Sequence, residues 1–210
     1  MPNEGYILED PFFDDEDETV RTRRNLPHWS QKGRLYFITW RLADSLPQEA
    51  LKRIRSDRRK WVREHGDIRI EDMGPMLKKE WYRLFHHRVQ QWLDAGHGAC
   101  VLRRPDALRI MVEALYHFHG ERYHLGSFAI AGNHVHVLVA PRPAVEISSI
   151  LHSWKSFTAN AINNALGRTG RLWMDEYFDR LLRNQMHLER VEEYIAAHVK
   201  HGAYVERRPS

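Results

Sequence analysis

Cysteine is almost missing from this chain of 210 residues: Cys100 stands alone, so no intramolecular disulfide framework can form and a reducing compartment is expected. Long hydrophobic runs are missing too. No stretch approaches the roughly 18 apolar residues of a membrane span, and the N-terminus lacks the basic, then apolar, order of a secretory signal. The expectation is therefore a cytoplasmic protein without a membrane partner. Basic residues are absent from positions 1–19, which hold eight acids (Glu4, Glu9, Asp10, Asp14, Asp15, Glu16, Asp17 and Glu18). The remainder is left with 20 acids against 32 bases, a body of +12 that suits a polyanion such as nucleic acid, or else a solubilising surface.

A hydrophobic fraction of 42% with 7 Trp fits a folded globular chain rather than a disordered one. The domain reading is an acidic, disordered tail over 1–22, one domain over 23–203 with a helical insertion at 46–98, and a short tail over 204–210. Residues 21–33 read as a basic, irregular entry. RLYFITWRL (34–42) is rich in β-branched and aromatic residues and predicts a strand. Helices are expected from Pro47 to His65, from Pro75 to Ala95, and over 105–120, where Leu108, Met111, Val112, Leu115 and Phe118 recur at helical spacing. Strands at 122–132 and 134–141 are joined by the Ala131–Gly132–Asn133 turn. A long helix over 146–167 follows, its apolar face read as Ile147, Ile150, Leu151, Trp154, Phe157, Ala161 and Ala165. A short strand at 177–183 comes next, then a last helix over 185–200. The order strand, helix, strand, strand, helix, strand predicts an α+β, ferredoxin-like sandwich with an antiparallel sheet and an added C-terminal helix.

AGNHVHVLVAP (131–141) places His134 and His136 one residue apart in a strand, so both imidazoles project from one face. Such a pair either holds a divalent metal or forms two hydrogen-bonded core histidines. In the last helix, Leu188, Val191, Ile195 and Val199 form the apolar stripe, and Tyr194, His198 and His187 border it. Packed by that stripe, the helix can aim Tyr194 and His198 at the histidine pair. A histidine-triad nucleotide hydrolase fails at the third alternating position, which is Leu138.

HVHVL, LWMDEYFDRLLR and a final helix with VEEYI…VKHG resemble the REP-associated tyrosine transposases, single-tyrosine HUH endonucleases of small insertion sequences. The resemblance runs from about Arg23 to Gly202. It implies a metal-dependent transposase and endonuclease that cleaves and rejoins single-stranded DNA beside hairpins through a 5′-phosphotyrosine. It assigns Tyr194 as nucleophile and His134 and His136 as metal ligands for Mg or Mn, with Tyr177 as a rival nucleophile. Relatives have Asn or Gln where His198 stands and often read YI..NPVK where this chain reads YIAAHVKHG; His198 is the expected third ligand. Glu176 and Asp179 fall where relatives place residues near the site. Lys155, Ser156, Asn160, Trp29, Arg23 and Arg24 are the candidate DNA contacts, the implied partner is single-stranded or hairpin DNA, and the protein is a monomer or homodimer. The alternative is a catalytically inactive, domesticated DNA-binding protein.

Overall fold

In the computed structural model the described residues are 11–23, 27–68 and 72–208, with the side chains of 21–29 excluded. They form two compact units, residues 44–100 and the remainder.

The larger unit carries a five-stranded antiparallel sheet. Its core strands are β3 (Tyr36–Leu42), β4 (Tyr123–Ile130), β5 (His134–Pro141) and β6 (Trp173–Leu181), and its helices are α4 (Pro105–Tyr116), α5 (Ile147–Ala165) and α6 (Gln185–Ala197). The spatial order is β6-β3-β5-β4-β7, where β7 is Tyr204–Glu206. Without β7 this is the ferredoxin-like α+β sandwich that the sequence predicts. The entry segment is not irregular: β1 (Val20–Arg23) and β2 (Pro27–Ser30) pair antiparallel, with Val20 opposite Ser30.

Alternation along β3 and β5 separates two cores. On one face Tyr36, Ile38, Trp40 and Leu42 join Val135, Val137 and Val139 under α4 and α5, whose Met111, Leu115, Ile150, Leu151 and Trp154 close the layer. On the other face Leu35, Phe37, Leu138 and Ala140 pack against Leu188, Val191 and Ile195 of α6. A two-helix sandwich leaves that second face open, and α6 covers it.

Several sequence expectations shift. β6 starts at Trp173 rather than 177, because Trp173 pairs with Leu42 across an irregularity in register. Phe157 is 55% exposed; α5 instead buries Thr158, whose hydroxyl donates to the Trp154 carbonyl (2.6 Å) and accepts from Trp173 Nε1 (2.9 Å). Val199 is 61% exposed, since the chain tightens into a 3₁₀ turn over His198–His201 and leaves the α-helical period. Glycine202 then takes φ 72° and turns the chain into β7, where Ala129 lies opposite Val205.

The smaller unit contains α1 (Gln48–His65) and a helical stretch made of α2 (Pro75–Trp81), a π-helical segment (Tyr82–His87) and α3 (Arg88–Asp94). Trp61 of α1 meets Phe85 edge-on at 6.1 Å. Gly98 has φ 87° and lies so close to Asp44 that a Cβ there would come within 2.6 Å of the Asp44 carbonyl oxygen.

Candidate metal and tyrosine site

β5 sets the first two groups. His134 and His136 alternate with Val135 and Val137, so the valines enter the large core while both imidazoles reach the face covered by α6. The rings are 4.7 Å apart and only 1% and 0% exposed. α6 supplies the rest. Asn184 caps it by accepting from the His187 amide (2.9 Å), and its apolar stripe fixes its rotation on the sheet. That rotation puts the His198 ring 4.5 Å from His136 and 5.7 Å from His134. One ligand nitrogen from each of the three histidines lies within 4.8 Å of the others.

The Nδ1 atoms are already engaged. His134 Nδ1 lies 2.7 Å from Asn133 Oδ1, His136 Nδ1 lies 2.7 Å from Thr39 Oγ1, and His198 Nδ1 lies 2.8 Å from the Tyr194 carbonyl. An Nδ1–H donated to an oxygen fixes the tautomer in which Nε2 carries the lone pair. Three imidazoles that each offer an Nε2 lone pair would be a competent donor set for a first-row divalent ion, so the residues fit the implied metal.

Tyr194 stands one turn before His198. Its ring is 4.7 Å from His198 and 5.2 Å from His136, both edge-on, and Phe37 meets it edge-on at 5.9 Å while stacking on His136 at 5.5 Å. The phenol is half-buried. Tyr177, the rival, pairs with Trp40 and packs with the core under α4 and α5, on the opposite side of the sheet. Asp179 lies opposite Ile38 and shares that far side, whereas Phe178 faces the α6 layer. Glu176 sits where β6 loses register with β3.

His187 does not join the cluster. It lies in the first turn of α6, its Nδ1 3.4 Å from the Arg183 amide, and burial together with Arg180, Arg183 and Arg190 pushes its pKa down to about 4.

Of the expected DNA contacts, Lys155, Ser156 and Asn160 lie on α5, away from the histidines. The half-buried Lys155 donates from its ammonium to the carbonyls of Met174 (2.6 Å) and Asp175 (2.8 Å), because α5 lies against the start of β6. Ser156 and Asn160 are exposed on α5, which covers the sheet face away from the histidines. Arg24 lies outside the described residues, and so do the side chains of Arg23 and Trp29, whose backbones belong to the β1–β2 hairpin.

Sequence reasoning missed Thr39, Asn133, Phe37 and Arg41. Arg41 lies opposite His134 in the β3–β5 register and shares a face with Thr39. Burial lowers its pKa to about 10, which leaves the guanidinium charged at neutral pH. The usable signal was strand alternation in FITWR, but it becomes informative only once β3 is known to pair with β5.

Known proteins offer a partial likeness. Residues 108–198 match the family model described as "Transposase IS200 like". Among solved structures, one titled as a REP-associated tyrosine transposase bound to a REP hairpin has a TM-score of 0.43 at 14% identity, covering 87% of this chain and 74% of that one. A structure described as a "putative transposase from deinococcus radiodurans r1" gives 0.37 at 11%, covering 85% and 97%. No curated protein sequence matches.

Proposed function

We propose, from the IS200-like match over residues 108–198 and the imidazole cluster that faces Tyr194, that this protein is a metal-dependent DNA transposase. It cleaves and rejoins single-stranded DNA beside hairpins through a 5′-phosphotyrosine. One observation carries the reading: a half-buried phenol sits edge-on to two of three buried histidines, 4.7 and 5.2 Å away.

His134, His136 and His198 would hold the divalent ion, which when bound supplies positive charge beside the scissile phosphate. Tyr194 Oη attacks phosphorus. A Tyr O–P bond forms, the P–O3′ bond breaks, the phenolic proton passes to solvent and the departing oxygen takes up a proton as a 3′-hydroxyl. The linkage remains a phosphodiester, so attack by another 3′-hydroxyl restores DNA and the phenol without ATP. Arg41, charged and beside His134, adds positive charge where a phosphate enters. Phe37 and Thr39 hold the His136 ring in place.

The test is an end-labelled single strand carrying a hairpin, incubated with Mn²⁺ or Mg²⁺ and resolved on a denaturing gel. A protein-linked band is expected from the wild type and from Tyr177→Phe, and none from Tyr194→Phe, which still binds the DNA. An adduct that survives Tyr194→Phe refutes the assignment, and binding with no adduct from the wild type leaves a DNA-binding module without strand chemistry.

A further inference from the structure

Helix α1 has two electrostatically different sides. At about 100° per residue, Lys52, Arg55, Arg58, Arg59 and Arg63 fall within one arc, and the helix's three acids, Glu49, Asp57 and Glu64, all fall outside it. Two of the acids have local cationic neighbours: Asp57 pairs with Arg88 of α3, and Glu64 lies 3.8 Å from Lys60. The four arginines of the arc are exposed and line a shallow concavity together with Val62, and no acid stands among its described lining residues. Such a distribution differs from the alternating charges of an ordinary solvated helix, where i,i+4 partners of opposite sign offset each other.

We propose that this arginine face binds the phosphate backbone of paired DNA. Arg55, Arg59 and Arg63 stand one turn apart, a row of about 12 Å that meets several phosphates of one strand, which rise about 3.4 Å each along a duplex. Guanidinium forks bind phosphate oxygens in pairs. Single-stranded DNA is the poorer match because its binding sites use aromatic platforms on which bases stack. The one Trp of α1, Trp61, is 4% exposed and packs on the opposite side with Phe85. The choice of DNA as the polyanion rests on the transposase reading; the arginine face itself does not.

The experiment titrates the full-length protein into a blunt, fully paired, fluorescent duplex across a series of salt concentrations. The duplex has no single-stranded segment for Tyr194 to cleave, so its binding is read separately from adduct formation. Arg55→Gln/Arg59→Gln/Arg63→Gln is expected to bind on the order of tenfold more weakly at low salt, with the slope of log K against log salt shallower by about 2 to 3. The corresponding triple Lys variant keeps the slope. An unchanged slope in the Gln variant overturns the proposal. So does an equal loss in the Lys variant with a lowered melting temperature, which marks a structural role. Loss of binding to vesicles of anionic phospholipid, with duplex binding intact, also overturns it and assigns the face to a membrane surface. If the wild type forms no adduct on single strands while the slope still falls, the strand chemistry fails and the arginine face stands.

Discussion

The Tyr194 carbonyl accepts a hydrogen bond from His198 Nδ1 at 2.8 Å, so one turn of α6 ties the phenol's own backbone to an imidazole of the cluster. The two groups cannot be positioned independently: a change that rotates the turn moves both. His198 reaches His136 because residue 198 opens a 3₁₀ turn while still lying one turn below Tyr194.

Thr39 holds His136 through its hydroxyl. Thr39→Val keeps shape and removes the bond to Nδ1, and metal affinity should fall about 10–100-fold as the ring loses its fixed tautomer. Titration calorimetry with Mn²⁺ checks this; an affinity equal to that of the wild type would show that Thr39 does not orient the ligand.

A three-imidazole donor set favours Mn²⁺ over Mg²⁺, which prefers oxygen ligands and retains its waters. Mn²⁺ should therefore raise the melting temperature at concentrations where Mg²⁺ does not, since an ion that binds only the folded state stabilises it. His198→Asn exchanges a nitrogen for an amide oxygen and should narrow the gap between the two ions. Equal shifts by both ions in the wild type would contradict the assigned ligands.

His187 supplies a pH prediction. Its folded pKa of about 4 lies below the unfolded value near 6.5, so between these limits the unfolded chain binds a proton that the folded one does not. Stability contributed by neutral His187 is present above pH 6.5 and lost as pH falls toward 4. His119 and His124, also lowered by burial, act in the same direction. Melting curves from pH 4.5 to 7.5 should fall less steeply toward acid for His187→Gln than for the wild type; parallel curves would remove His187 from the account.

Gly126 tests the packing beneath the site. A Cβ there would meet the Leu138 Cβ at 2.9 Å and the Leu138 carbonyl oxygen at 3.2 Å, within the irregular part of the β4–β5 ladder. Gly126→Ala should cost about 1–3 kcal/mol in urea unfolding through overpacking. A loss below a few tenths would mean that the strands separate there without strain.

Periodicity made much of the sheet and of α6 legible: the alternation in HVHVLV and the stripe Leu188, Val191, Ile195 need only neighbouring residues to read. The misreadings share a cause. Phe157 reads as core because it is apolar, although Thr158 occupies the buried position and satisfies its hydroxyl locally. Val199 falls on the stripe only by a period that ends at Ala197. Thr39 and Arg41 could not be found from local pattern, because their link to His136 and His134 is a cross-strand register spanning nearly a hundred residues. The two carbonyls that hold Lys155 belong to a strand some twenty residues later, beyond the reach of local pattern.

The three-residue strand β7 has a mechanical role out of proportion to its length. It leaves α6 through the His198–His201 turn and zips onto β4. A swing of α6 away from the sheet must therefore peel those backbone bonds first, and until it does, the phenol stays tethered to the imidazoles of its own molecule.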